Sequence, residues 1–252
     1  MFKIESSLIF SGRRLLYLPE CQSTNDYAAH LLANKPLNEG SVIITNNQTK
    51  GRGQRGNNWI STEGKNLTLS VIFKPQFLNV QKNFMLNIFV SLALFDFFFN
   101  LRLTDLKIKW PNDLMTSGKK LAGILIENFL RLDKINDSIV GLGINVNQQH
   151  FQLPGATSLK LATGKTYDLN KLLNLLLIQL DAYYLKLKNE EYDLLKSNYV
   201  EKLFWLHEEH TFGSQLGEFQ GTIIGIDDYG RLKVEADNQV KVFDLKEIRF
   251  LS

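Results

Sequence analysis

The chain has 252 residues, 44% hydrophobic and 22% charged, enough apolar material to bury a core as one large domain, or one plus a small one, and too much for a disordered chain. A formal net charge of +3 excludes a surface built throughout for nucleic acid, so any anion is met at a local site. The single cysteine, Cys21, has no partner for an internal disulfide and no signal-type segment follows Met1, so the reducing cytoplasm is the expected compartment.

In chain order, the first forty residues read as short strands and then a helix. Ser23, Thr24 and Asn25 stand before Tyr27, Ala28, Leu31 and Leu32. Hydroxyl and amide side chains there accept bonds from the free N–H groups of a first helical turn, so S-T-N by itself is an N-cap. Residues 41–46 (S-V-I-I-T-N) and 67–73 (L-T-L-S-V-I-F) read as buried strands, with Q-T-K-G-R-G-Q-R-G-N-N-W (48–59) slung between them.

Residues 84–101 imitate a membrane span, but Asn87, Ser91, Asp96 and Asn100 interrupt them. Phe84, Ile88, Leu92 and Phe95 recur at helical spacing, which predicts a core helix packed on a sheet, with Asn87 and Asp96 pointing elsewhere. Residues 107–115 (K-I-K-W-P-N-D-L-M), a Gly-Lys turn and 120–127 (K-L-A-G-I-L-I-E) read as strand, turn, strand. Residues 139–146 are a further strand in which Gly141 and Gly143 remove side chains, a mark of close approach by a ligand or another backbone.

Asp168 or Asn170 then caps a long helix through Leu172, Leu176, Leu180, Tyr183 and Leu187, and a second helix runs toward Trp205. From about His207 the texture changes to short alternating strands separated by D-D-Y-G and D-N-Q, which predicts a small appended β-barrel.

Two clusters carry chemistry. In the 48–59 segment, Gly51, Gly53 and Gly56 allow unusual dihedrals and offer N–H groups at close range, while Lys50, Arg52 and Arg55 add charge, a combination suited to anions. It is neither a Walker A loop nor a G-x-G-x-x-G turn, and in isolation a mobile surface turn or an RNA-contacting segment stays open. In K-W-P-N-D (109–113), Pro111 restricts itself and Trp110, and eleven positions past Lys109, Lys120 opens an apolar strand where an ammonium meets a carboxylate or phosphate.

S-T-N at 23–25, the 48–59 segment, K-W-P-N-D, K-L-A-G-I-L-I-E and G-L-G-I-N-V-N at 141–147 resemble, in order and spacing, the motifs of biotin protein ligases, over nearly the whole chain. The resemblance implies an α+β fold: a catalytic domain like that of class II aminoacyl-tRNA synthetases, a mixed sheet with flanking helices (1–206), and an SH3-like barrel (207–252). It implies activation of biotin by ATP with Mg²⁺, then transfer to a lysine on the biotin carboxyl carrier domain of a carboxylase. A flexible loop ordering over the adenylate would shield that anhydride from water.

By position, the resemblance places Ser23, Thr24, Asn25 and Gln48 at biotin's ureido head, with Gly51 and Arg52 closing above. It puts Lys120 at the carboxylate and later the adenylate, Trp59 on the adenine, and Asn112 and Asn145 on the nucleotide side. Gly53, Gln54, Arg55 and Gly123 complete the expected binding set. Arg52, Lys120 and Asp113 are the expected catalytic residues, with Asp113 assisting an acceptor lysine whose ordinary pKa of about 10.4 keeps it protonated. No metal ligands are singled out.

Where many members carry arginine, this chain has Gln54 and Asn57, and Lys50 is the expected compensating cation. S-T-N so early leaves no room for the winged helix that some members place first, so no sequence-specific DNA binding is expected. Nor is a membrane; a sheet-edge homodimer is common in the family. A lipoate or octanoyl transferase shares the fold, but the R-R-x-x-G-G-G-type stretch expected of it is missing.

Overall fold

The computed structural model describes residues 2–4, 14–34, 37–152 and 154–251, apart from the side chain of Arg55. A short strand expected before residue 14 lies outside the described residues. The elements run β1 (Arg14–Cys21), α1 (Thr24–Asn34), β2 (Ser41–Gln48), a hairpin of β3 (Gly51–Arg52) and β4 (Asn58–Trp59), β5 (Leu67–Phe73), α2 (Phe84–Asn100) and β6 (Leu106–Lys109). There follow β7 (Asp113–Thr116), β8 (Lys119–Arg131), β9 (Lys134–Ile144), α3 (Leu159–Thr163), α4 (Leu169–Lys188) and α5 (Tyr192–Glu201). The chain ends in β10 (Glu209–Ser214), β11 (Gly217–Ile226), β12 (Leu232–Ala236), β13 (Gln239–Phe243) and β14 (Ile248–Leu251).

A seven-stranded mixed sheet in the order β1-β2-β5-β9-β8-β7-β6 organises the first part. Only β1 and β2 are parallel, joined through α1; the other neighbours are antiparallel. A strand's side chains alternate between faces, and β5 shows what that does here. Leu67, Leu69, Val71 and Phe73 enter the large core under α2 and α4, while Ile72 joins Ile43, Ile139 and Ala28 beneath α1. Thr68 and Ser70 share Ile72's parity, so the α1 face grades from apolar to polar along one strand.

The 84–101 segment is helix α2, as its periodicity predicts. Residues 80–100 are long and apolar enough to cross a membrane by length and composition, yet 67% of their most apolar 18-residue window is buried inside the protein. Phe84, Ile88 and Leu92 are buried and Phe95 is partly so, each full burial being worth about 1.5–3 kcal/mol. Asp96 faces α4, where it accepts the Tyr183 hydroxyl at 2.6 Å.

K-I-K-W-P-N-D-L-M differs from its reading as one strand. The chain reverses at Trp110–Asn112, so β6 and β7 pair antiparallel from Lys109 opposite Asp113 outward. Pro111 lacks an N–H and its ring fixes φ, which suits a turn better than a strand interior. The long helix is capped by Asp168, whose carboxylate accepts from the N–H groups of Asn170 and Lys171. Helix α3, capped by Ser158, was not foreseen; five residues are too few to show a period.

The last five strands form an antiparallel sheet, β13-β12-β11-β10-β14, where short strands were expected. It packs against the first part at Trp110, whose indole donates to the Gly230 carbonyl at 2.9 Å. Gly230 sits at φ +82 with Phe84 so close that a Cβ would lie 1.9 Å from its ring. Residues 202–204 bond to both sides of Ile108, which fixes the start of this sheet against β6.

Candidate active site

The candidate site is a narrow cleft on the α1 face, roofed by the β3–β4 hairpin. One end is polar and buried. The Thr24 N–H donates to Gln48 Oε1 at 2.9 Å, and the Ser70 hydroxyl lies 2.8 Å from Thr24 Oγ1 and 2.7 Å from Asn25 Oδ1, serving one at a time. Asn25, 3% exposed, donates its amide to Leu125 O at 3.2 Å and Glu127 Oε2 at 2.7 Å. That leaves Oδ1 turned toward Ser70 and the cleft. Ser23 does cap α1, its hydroxyl accepting from the Asp26 N–H at 3.3 Å and its carbonyl from Tyr27 at 3.0 Å, so the same three residues start the helix and build the pocket.

Glycine makes the floor. A Cβ on Gly141 would lie 2.3 Å from Asn25 Oδ1, and one on Gly143 would lie 2.3 Å from Trp59 Cε2. The Trp59 indole thus rests on bare backbone, with Gly123 beneath its other edge. It also borders a second cleft that includes Lys120, Asn145, Gln148 and His150.

Lys120 reaches this face through a β-bulge. Leu114 pairs with Ala122 but Met115 pairs with Lys120, so Leu121 is the extra residue. Leu121 and Ala122 both enter the core, and the register slip turns Lys120 to the side of Gly123. The segment 155–157 then holds its backbone, with Lys120 N–H donating to Gly155 O at 2.7 Å and Thr157 N–H to Lys120 O at 2.9 Å. Its ammonium stands 2.8 Å from Asp113 Oδ1, an ion pair in which that oxygen takes no aligned hydrogen bond.

Lys109, Asp113 and Lys120 also border a third cleft, between the hairpin, the Trp110–Asn112 turn and β14. Burial lowers the pKa of Lys109; Asp113 opposes the fall and Lys120 adds to it.

Arg52 lines the cleft from the hairpin, and its guanidinium is held by two carboxylates. Its Nη2 lies 2.5 Å from Asp26 Oδ1 and 2.9 and 3.0 Å from the two oxygens of Glu127. Desolvation acts to lower the guanidinium's pKa, but these two carboxylates carry it above the ordinary arginine value. The loop expected to be flexible is a hairpin, closed by pairing of Gly51 with Trp59 and Arg52 with Asn58 and by Gly53 N–H to Asn57 O at 2.7 Å. A Cβ on Gly51 would meet Trp59 O at 2.3 Å and Gln48 Nε2 at 2.5 Å.

The cleft thus brings together Ser23, Thr24, Asn25, Gln48, Arg52, Gly53, Gln54, Trp59, Asn112, Lys120 and Gly123. Asn145 lies in the second cleft and Asp113 in the third. The side chain of Arg55 lies outside the described residues. Asn112 is also a strut, its amide donating to the Ile124 carbonyl. Lys50 is exposed at the turn before β3 and is not among the residues lining these clefts, so nothing here supports its compensating role. Ser70, Asp26 and Glu127 went unassigned from sequence; a lone serine inside L-T-L-S-V-I-F was the signal for the first.

Residues 17–145 match the model of the biotin/lipoate A/B protein ligase family, and the chain belongs to that family. Residues 215–247 match the biotin protein ligase C terminal domain. The bifunctional ligase/repressor BirA of Bacillus subtilis is 32% identical over 91% of this chain and 72% of its own length. A biotin acetyl-CoA-carboxylase ligase of Mycobacterium tuberculosis is 29% identical over 97% of this chain and 93% of its own. Among solved structures, a biotin protein ligase from Aquifex aeolicus in complex with biotin and ATP superimposes with a TM-score of 0.79 at 28% identity, covering 95% of this chain and all of that one.

Proposed function

We propose that this biotin protein ligase works in two steps from one cleft. In the first, a carboxylate oxygen of biotin attacks the α-phosphorus of Mg·ATP, forming the mixed anhydride biotinyl-5′-AMP and releasing pyrophosphate. In the second, the neutral ε-amine of a lysine on a biotin carboxyl carrier domain attacks the activated carbonyl, loses a proton and leaves as the amide, with AMP released.

One observation carries the reading: a buried set of neutral hydrogen-bonding groups at one end of the cleft and an ammonium at the other, joined by a glycine floor. A cyclic urea has two N–H donors and one carbonyl acceptor, and Asn25 Oδ1 with the Ser23, Thr24 and Gln48 side chains offers matching partners. The glycines let a flat bicycle approach the sheet. Lys120 then draws the carboxylate and the α-phosphate together, which supplies most of the catalysis without an enzyme nucleophile.

Mg²⁺ enters as a substrate, carried on the phosphates of ATP. Asp113, paired to Lys120 and bordering the third cleft, is placed to help an arriving ammonium shed its proton. Trp59, between head cleft and second cleft, supports the adenine-side assignment. Among the described residues, β8 has no strand neighbour beyond Gly123 on its β7 side, which leaves an edge for a homodimer.

The test is mass spectrometry of a carrier domain incubated with the protein, Mg·ATP and biotin or lipoate. A biotinyl adduct on the acceptor lysine with biotin alone is expected. An unmodified lysine, beside an active control ligase, would overturn the reading.

A further inference from the structure

We propose that Glu127 is the latch of the hairpin, a positioning residue whose carboxylate ties the closed roof to the head-group pocket and so sets how long the ligand stays bound. The inference rests on the biotin reading and adds to it a residue for retention. It begins from two acids, Asp26 and Glu127, that stand behind the guanidinium of Arg52 where it lines the cleft.

Connectivity accounts for the acids. The β3–β4 hairpin forms a two-stranded sheet of its own, joined to neither larger sheet. Such a ribbon is marginal unless something holds it. The Lys50 N–H bonds to Gln22 O at its base and the Trp59 indole rests on Gly143. On the side over the pocket, Arg52 supplies the ionic tether, and three elements meet there: the hairpin, the first turn of α1 through Asp26, and β8 through Glu127.

Glu127 differs from Asp26 in having a second task. Its Oε2 accepts the Asn25 amide at 2.7 Å while both oxygens stand within 3.0 Å of Arg52 Nη2. The position of the roof and the orientation of Asn25 therefore depend on the same carboxylate. Asp26, with half its side chain exposed, touches only the roof half of this arrangement.

The bland alternative is a solvated surface ion pair that contributes almost nothing. Against it stand the shared acceptor, the buried Asn25 and the two-oxygen contact, which bring the interaction to the upper end of the usual range. That corresponds to about a fivefold change in ligand lifetime.

The experiment uses the full chain loaded with tritiated biotin and chased with unlabelled biotin. Glu127→Gln keeps an acceptor for Asn25 but loses the attraction for Arg52. It is expected to release biotin about fivefold faster, with kcat for adenylate formation at saturating biotin changed far less than KM. Raising NaCl from about 0.1 M to about 1 M, which shortens the screening length from about 10 to about 3 Å, is expected to speed release from the native chain and to leave Glu127→Gln nearly unmoved.

Glu127→Leu, which also removes the nearer of Asn25's two acceptors, is expected to release faster still. Release from Glu127→Gln at the native rate, or with the native salt response, overturns the latch. A fall in Tm with the salt response intact reduces Glu127 to a structural role and overturns it equally. Failure of the native chain itself to retain biotin overturns the biotin reading instead, so the two failures are told apart.

Discussion

Gly141→Ala is the sharpest perturbation the cleft offers. The added Cβ would lie 2.3 Å from Asn25 Oδ1, 2.9 Å from its Cγ and 3.1 Å from Nδ2, so the whole carboxamide is in the way. To move from 2.3 Å to the 3.4 Å of an ordinary contact, Asn25 must retreat about 1.1 Å. It has little room, being buried and held through Nδ2 by Leu125 O and Glu127. A displacement of that size breaks the 2.7 Å bonds to Glu127 and Ser70 or misaims Oδ1.

Leaving a buried amide poorly bonded costs about 1–3 kcal/mol, which translates into a biotin Kd raised about 5- to 150-fold. Overpacking adds about 1–3 kcal/mol of destabilisation, or a Tm lowered by about 2–12 °C in a chain of this length. Isothermal titration with biotin and a thermal melt measure the two effects separately. Gly118→Ala is the control: φ is +70 in the β7–β8 turn with nothing within 4 Å. It is expected to lower Tm through backbone strain and to leave biotin binding alone. If Gly141→Ala binds biotin as tightly as the native chain, the geometric reasoning about the glycine floor fails.

Lys120→Gln removes the cation at the reacting end and the salt bridge to Asp113. Adenylate formation, followed as pyrophosphate release, is expected to fall about 100-fold; a normal kcat with a raised KM would reassign Lys120 to ground-state binding. Lys109 gives a pH-dependent case. Burial lowers its folded pKa, so its charged form subtracts from stability below that value, and the deficit is relieved as pH rises through the folded pKa toward the ordinary 10.5. Lys109→Met is therefore expected to stabilise near neutral pH and to lose that advantage near pH 10, as read by urea denaturation; an equal gain at both pH values would remove burial as the cause.

Most elements were legible in the sequence because their signals are local. The α2 period, the Asp168 cap and the strands from β10 to β14 depend on residues a few positions apart. The family motifs likewise named residues that line the clefts, from Thr24 and Asn25 to Gly123 and Lys120. The tertiary structure decided what required distant partners. Ser70, Glu127 and Asp26 acquire meaning only when β5, β8 and α1 stand side by side, and Arg52, cationic on paper, is neutralised by acids 26 positions before it and 75 after.

Lys120 is the clearest division between the two. Sequence alone determined that a lysine opens the K-L-A-G-I-L-I-E strand, and strict alternation would have put it on the core face with Ala122 and Ile124. The bulge at Leu121 turned it to the cleft, because one unpaired residue reverses the facing of those beyond it. Residue identity fixed the available chemistry; register, set by strand pairing across the whole sheet, fixed where that chemistry points.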